Sequence, residues 1–271
     1  MSAAGRLRVV VVRCSQLDAE LCADVLFGMG AHAVEERLID HEVSLRTTID
    51  DDLSDIAAAM AGIAVELSDE FVDREVLDHW RKFVVPTGLD EGWSIVPKWL
   101  ADDTSDEKHF VIDPEESFGV GDHPTTRLCA NWLVKSEVSG KSLLDAGCGT
   151  GVLGIIAARR GAVVTGVDIA ENALGATSRN AVLNSVHLHK VCRWEDLDGS
   201  ERYGMIVANI LAPVLIDLSS QLRTLIEPSG LIVLSGLRSE QKERVLRAYA
   251  DLVLIGSDRI DGWELLVLQA P

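Results

Sequence analysis

Asp145-Ala-Gly147-Cys-Gly149-Thr-Gly151 narrows the possible folds of this chain more than any other stretch. It follows the apolar pair Leu143-Leu144 and precedes a helical pattern from about Val152 to Arg160. Glycines at a strand-to-helix turn let a ligand approach the backbone, and the N–H groups opening the helix favour a negatively charged moiety. Asp168 closes the next expected strand, Val163 to Val167, 21 residues after Gly147. A carboxylate there can accept hydrogen bonds from both hydroxyls of a ribose. Alternation then continues: a helix over 171–184, strands over 187–192 and 205–208, and a helix over 211–226 stopped by Pro228 and Gly230. A strand over 231–234 and a helix over 239–249 follow. This pattern predicts an α/β fold, an open and mostly parallel sheet with helices on both faces. Leu252–Ile255 and Glu264–Leu268 have no helix between them, which predicts an antiparallel pair at one edge.

Gly149-Thr-Gly151-Val-Leu-Gly154 is also a literal GxGxxG, so a nicotinamide dinucleotide has to be weighed. Asp145 argues against it, because its carboxylate would face a pyrophosphate of like charge. S-adenosylmethionine instead offers an ammonium for Asp145, a carboxylate for the backbone N–H groups, and a ribose for Asp168, which makes Gly147 and Gly149 of the turn cofactor-binding candidates as well. A second motif, Phe118-Gly-Val-Gly-Asp-His-Pro-Thr-Thr126, leads into a helix, and Thr126 can offer its hydroxyl to the methionine end of that cofactor. A third, Val207-Ala-Asn209-Ile-Leu-Ala-Pro213, ends the fourth strand. Ligands of open α/β sheets sit at the carboxyl ends of strands, so Asn209 falls beside the cofactor and is the candidate for positioning an incoming amine. A plain strand-to-helix cap fits Asn209 equally well. Cys148 has no His partner nearby and reads as a packing residue under the turn. A lone His123 reads as structural. His187 and His189 lack companions at ligand spacing, so no metal site is expected.

The first seventy residues carry none of this chemistry. Leu7–Val12 reads as a strand, and Ser15 with Asp18 as a helix start for Leu17, Leu21, Cys22, Val25, Leu26 and Met29. Strands over 33–39 and 43–49, a helix after Asp50–Asp52, and a strand over 63–67 complete βαββαβ. That order predicts a small ferredoxin-like α+β domain. Residues 71–115 hold an expected linker helix, Glu70 to Lys82, and then an irregular or short-strand connection with an acidic run over 102–107. Domains are therefore drawn at 1–70, 71–115 and 116–271. Five cysteines without a CxxC pair indicate neither a disulfide framework nor zinc. The apolar run near the N-terminus is too short for a signal peptide, so a cytoplasmic protein is expected, without membrane partners and monomeric. With 43 acidic and 25 basic residues the net charge is −18, which disfavours direct nucleic-acid binding and suits a basic protein partner.

Taken together, Phe118–Thr126, Asp145–Gly151 and Val207–Ala212 resemble the ribosomal protein L11 methyltransferase family, within the class I S-adenosylmethionine-dependent methyltransferases. Trp80-Arg-Lys, Ile95-Val-Pro97-Lys-Trp99 and Ser235-Gly-Leu with Gln241 are similar to its linker and its fifth-strand region. The resemblance implies a Rossmann-like catalytic domain behind a substrate-recognition domain, cofactor contacts at Thr126, Gly147, Asp168 and Asn209, and ribosomal protein L11 as the substrate. It implies methyl transfer to lysine or N-terminal amines of that protein. Val120 stands where the family has Thr, and residues 113–118 are more acidic than the family's lead-in. Another protein lysine or a small-molecule amine as acceptor is the nearer alternative. A non-catalytic module that binds the cofactor or a ribosomal partner is the alternative of another class, and a dehydrogenase is the third.

Overall fold

The computed structural model describes residues 6–16, 18–29, 31, 34–39, 41–49, 51–73, 85–101, 108–113 and 121–271. The chain divides into two compact units, Met1–Val84 and Val85–Pro271. The first contains β1 (Arg6–Ser15), α1 (Ala19–Gly28), β2 (Glu35–Ile39), β3 (Glu42–Thr47), α2 (Leu53–Ala59) and β4 (Glu66–Asp73). Its strands lie in the order β2-β3-β1-β4, every neighbouring pair antiparallel. β1 is central, which is why its valines 9 to 12 are all buried. The Ser15 hydroxyl and the Asp18 carboxylate bond each other at 2.7 Å where α1 begins. Cys22 and Leu26 of α1 meet Val10, Val12, Val43, Leu45, Ile56 and Met60 in one core, whereas Leu21 is exposed and Leu17 lies outside the described residues.

The fourth strand differs from the sequence expectation. It runs to Asp73, so Glu70–Asp73 is strand and not the start of a helix, while residues 74–82 of that expected helix lie outside the described residues. The cause is pairing: the ten residues of β1 template β4 from Arg13↔Glu66 to Arg6↔Asp73. Opposite charges line up across the sheet, with Arg8–Asp69 at 2.9 Å and Arg13–Glu66 at 3.7 Å, and Arg46 of β3 on Glu70. Such cross-strand pairs favour an acidic segment as strand beside a basic one.

The second unit opens with β5 (Thr87–Gly88), β6 (Ser94–Pro97) and β7 (His109–Ile112), a three-stranded sheet in that order. These short strands occupy the expected connecting region, whose acidic run over 102–107 lies outside the described residues. Next come α3 (Pro124–Lys135), β8 (Ser142–Ala146), α4 (Val152–Arg159), β9 (Val163–Asp168), α5 (Glu171–Leu183), β10 (Lys190–Arg193) and β11 (Tyr203–Asn209). The chain continues through α6 (Ala212–Asp217), α7 (Ser219–Leu225), β12 (Ile226–Arg238), α8 (Lys242–Ala248), β13 (Val253–Ile260) and β14 (Trp263–Gln269). The sheet order is β10-β9-β8-β11-β12-β14-β13, parallel from β10 to β12. β14 is antiparallel to both neighbours, and β13 forms the edge.

Alternating side chains feed two cores, one on each face. Leu143, Met205, Val207 and Val233 join α3 and α4 on one side. Leu144, Ile206, Ala208, Ile232 and Leu234 join α6, α7 and α8 on the other. Both faces are covered, so the strands read as apolar runs. The helix expected over 211–226 is broken at Leu218, where ψ is −5°. β12 is longer than expected because Pro228, Ser229 and Gly230 leave the ladder as an excursion between the pairs Tyr203↔Ile226 and Met205↔Leu231. A proline without an N–H is tolerated at such an irregularity.

Leu234 is fully buried between the sheet and the second helical layer. Leu234→Ala should lower unfolding free energy by about 2–5 kcal/mol, the range for emptying a packed leucine site. Urea denaturation measures it; a loss below about 1 kcal/mol would show that this layer collapses around the gap.

Candidate active site

Because β8 pairs with both β9 and β11, the carboxyl ends of three strands come together: Ala146 stands opposite Val167 on one side and Ala208 on the other. The turn after β8 bends back onto β9, where Gly147 N–H (2.9 Å) and Cys148 N–H (3.0 Å) both donate to the Val167 carbonyl. Gly147 has φ 77°, and a Cβ there would overlap Ile210, the residue after Asn209. From the other side Gly236, at φ 87°, would overlap the Ile210 backbone if it carried a Cβ. Ile210 is thus wedged between two glycines, and the position of Asn209 follows from that wedge. The Asn209 amide donates to the Thr126 hydroxyl at 3.3 Å, tying the end of β11 to the first turn of α3. Thr126 is itself buried, so it acts on this edge by holding Asn209.

Asp168 receives Gly149 N–H on Oδ2 and Ala170 N–H on Oδ1, each at 3.0 Å. A carboxylate has about four lone-pair sites, so both oxygens can still accept further hydroxyls. Beside it Ile169 is 78% exposed, an apolar surface that the sequence analysis did not single out. Gly149 therefore links the turn directly to the acid at the end of β9.

Asp145 is placed differently from the sequence expectation. Its carboxylate is 1% exposed, and Oδ2 accepts Gly154 N–H at 2.8 Å. Gly151 is the N-cap of α4 and has no side chain to cap with, so Asp145 supplies the acceptor to the first turn from below. A carboxylate buried in this way braces the turn and does not stand open to a ligand ammonium. Burial raises it from its ordinary 3.8 to about 7; the Gly154 amide works against that rise and the Asp168 charge adds to it.

Cys148 is buried, and desolvation pushes its thiol well up, so it packs beneath the loop. The Thr177 hydroxyl lies 3.2 Å from its sulfur and donates to the Gly149 carbonyl at 3.0 Å. Thr177 and Asn180, both on α5, support the turn and belong to none of the three motifs; an Asn inside the helix, four residues before the Asn184 that ends it, is the signal they leave. His123 caps α3: its Nδ1 lies 2.7 Å from the Thr125 hydroxyl, and burial lowers its pKa. Its ring meets Trp263 edge-on at 5.0 Å, and the Arg238 guanidinium lies over the same tryptophan, 4.1 Å from the ring centroid. His187 and His189 precede β10. Phe118 to Val120, including the position that departs from the family, lie outside the described residues, as do residues 114–117.

The chain fits an S-adenosylmethionine site on these observations: positive-φ glycines where side chains would collide, backbone N–H groups at the start of α4, and a ribose-competent carboxylate at the next strand end. Among the described residues no helix is long and apolar enough to cross a membrane.

Asp145 also predicts a pH effect. With its folded-state pKa above the ordinary value, the folded chain keeps a proton that the unfolded chain has lost between about pH 4 and 7. Stability from this group is therefore present at low pH and lost as pH rises through about 7. Asp145→Asn removes the titration, so its melting temperature relative to the native chain should improve from pH 5 to pH 8. A difference that stays flat over that range would contradict the assignment.

Comparison with known proteins gives a consistent result. The profile of the ribosomal protein L11 methyltransferase family matches residues 38–270. A ribosomal protein L11 methyltransferase of Psychrobacter is 42% identical over 191 residues, covering 68% of this chain and 61% of that relative's length. One from Campylobacter concisus is 31% identical over 253 residues, covering 89% of each. The crystal structure of a ribosomal protein L11 methylase from Lactobacillus delbrueckii subsp. bulgaricus aligns with TM-score 0.62 at 27% identity, over 69% of this chain and all of that one. This chain belongs to the ribosomal protein L11 methyltransferase family.

Proposed function

We propose that this chain transfers methyl groups from S-adenosylmethionine to lysine or N-terminal amines of ribosomal protein L11. The observation that carries the reading is the convergence of Gly147, Gly149, Asp168 and Asn209 on adjacent strand ends, at the place where an open α/β sheet binds its ligand. Asp168 would hold the ribose, Ile169 would lie against the purine, and the N–H groups opening α4 would take the methionine carboxylate. Asp145 would contribute by fixing the glycine turn.

S-adenosylmethionine, when bound, supplies an electrophilic methyl group on a sulfonium. The chain's own work is then alignment, because an amine lone pair must approach that carbon opposite the sulfur, and positioning can replace most of the entropic cost. The Asn209 carboxamide, held by Thr126 on one side and the Ile210 wedge on the other, is the group we assign to this positioning. An attacking lysine must also shed its proton, which a desolvated site promotes by lowering its pKa.

The first unit would dock the substrate. Its βαββαβ order with strands β2-β3-β1-β4 supports a ferredoxin-like recognition domain, and the net charge of −18 favours encounter with a basic ribosomal protein. Because β4 reaches Asp73 and the second unit starts at Val85, a fragment of residues 85–271 removes the first unit whole. With labelled cofactor and purified ribosomal protein L11, the full chain should methylate L11, read by mass spectrometry. The fragment should unfold cooperatively and still bind S-adenosylhomocysteine, while its L11 methylation falls by at least about tenfold. A folded fragment that methylates L11 at the full rate would refute the docking role and favour a small-molecule amine.

A further inference from the structure

One buried side chain joins the glycine turn to the end of β7. Asn180 of α5 is 1% exposed. Its Oδ1 accepts Asp113 N–H at 2.9 Å, and its Nδ2 donates to the Asp113 carbonyl and to the Thr150 carbonyl, both at 2.9 Å. Thr150 stands between Gly149 and Gly151. One turn further along the helix, Asn184 repeats the pattern on Val111: Oδ1 accepts its N–H at 2.8 Å, and Nδ2 donates to its carbonyl at 2.6 Å and to the Asn180 carbonyl at 2.8 Å.

The spacing explains why the pair works. Residues four apart along a helix rise about 6 Å, and residues two apart in extended chain about 6.6 Å, so the two carboxamides match Val111 of β7 and Asp113 just past its end. β7 is the outer strand of its small sheet, and α5 completes its open edge as a partner strand would. The two asparagines differ in one respect. The Asn184 carboxamide bonds Val111 and its own helix, and its backbone carbonyl accepts from Arg159 of α4 at 3.1 Å, whereas the Asn180 carboxamide also holds the glycine turn. Every donor and acceptor of the Asn180 carboxamide is engaged, so movement of the turn or of Asp113 leaves a buried polar group without its partner.

We propose that Asn180 is a positioning residue that couples cofactor binding at the glycine turn to the anchoring of β7. This rests on the cofactor site assigned above. Coupling of this kind is reciprocal: if anchoring β7 helps the turn bind, binding at the turn must anchor β7.

The test uses the full chain. Asn180→Asp keeps an acceptor for Asp113 N–H and loses both donated bonds; Asn184→Asp makes the same change where it cannot reach the turn. Both variants should melt lower than the native chain. By calorimetry, Asn180→Asp should bind S-adenosylhomocysteine about fivefold to twentyfold more weakly, and Asn184→Asp within about twofold of the native chain. In hydrogen exchange, S-adenosylhomocysteine should slow the Asp113 amide in the native chain and in Asn184→Asp but not in Asn180→Asp. Equal affinities in the two variants, or unchanged Asp113 exchange on binding in the native chain, would overturn the coupling. Asp168→Ala is the control for the site itself. If it binds as tightly as the native chain, the cofactor assignment fails and the coupling with it; if it weakens binding while Asn180→Asp does not, the coupling alone fails.

Discussion

The carbonyl of Val167 holds the turn after β8 against β9. It accepts two successive N–H groups, from Gly147 and Cys148, and that pair of hydrogen bonds fixes where the chain leaves the sheet. With the turn folded back in this way, Gly149 N–H reaches the Asp168 carboxylate and Gly154 N–H reaches Asp145. Ile210 can then fit between Gly147 and Gly236 only because neither carries a Cβ. Three strand ends and the start of α3 are thereby locked into one edge, with Asn209 and Asp168 on it. The arrangement concentrates positive-φ glycines and a buried carboxylate in one place, and the two faces of packed sheet beneath it supply the stability that such a site costs.

Much of this was legible from residue order. The glycine turn, Asp168 at the next strand end and Asn209 at the fourth could be located because an open α/β sheet puts ligand groups at the carboxyl ends of its strands. The antiparallel pair at the edge followed from the missing helix between β13 and β14. What could not be read was which way a side chain faces within a turn. Asp145 carries the same charge whether it meets a ligand or caps a helix, and only the position of Gly154 N–H distinguishes the two. Asn180 and Asn184 looked like indifferent helix residues until β7 was seen beside them, since their partners lie 67 and 73 residues away in sequence. The end of β4 was misjudged for a related reason: an acidic segment reads as solvent-exposed helix unless the arginines across the sheet are known.

The two units divide the chemistry unevenly. The groups of this edge described above come from residues 113–236, and the first unit contributes a sheet that carries arginine–carboxylate pairs. That sheet is held by its buried core of Val10, Val12, Val43 and Leu45 with α1 and α2, and each exposed pair adds little by itself. Within the second unit Asp145, Thr177 and Asn180 serve one purpose, bracing the glycine turn from below.

A crystal structure of the chain with S-adenosylhomocysteine tests this arrangement most directly. The expected result is ribose hydroxyls within hydrogen-bond distance of Asp168, the amino-acid end against the turn from Gly147 to Gly151, and an Asp145 carboxylate still bonded to Gly154 N–H. Ligand density at another place, such as the polar cleft at the opposite end of the strands lined by Gly140, Ser142 and Glu227, would contradict it.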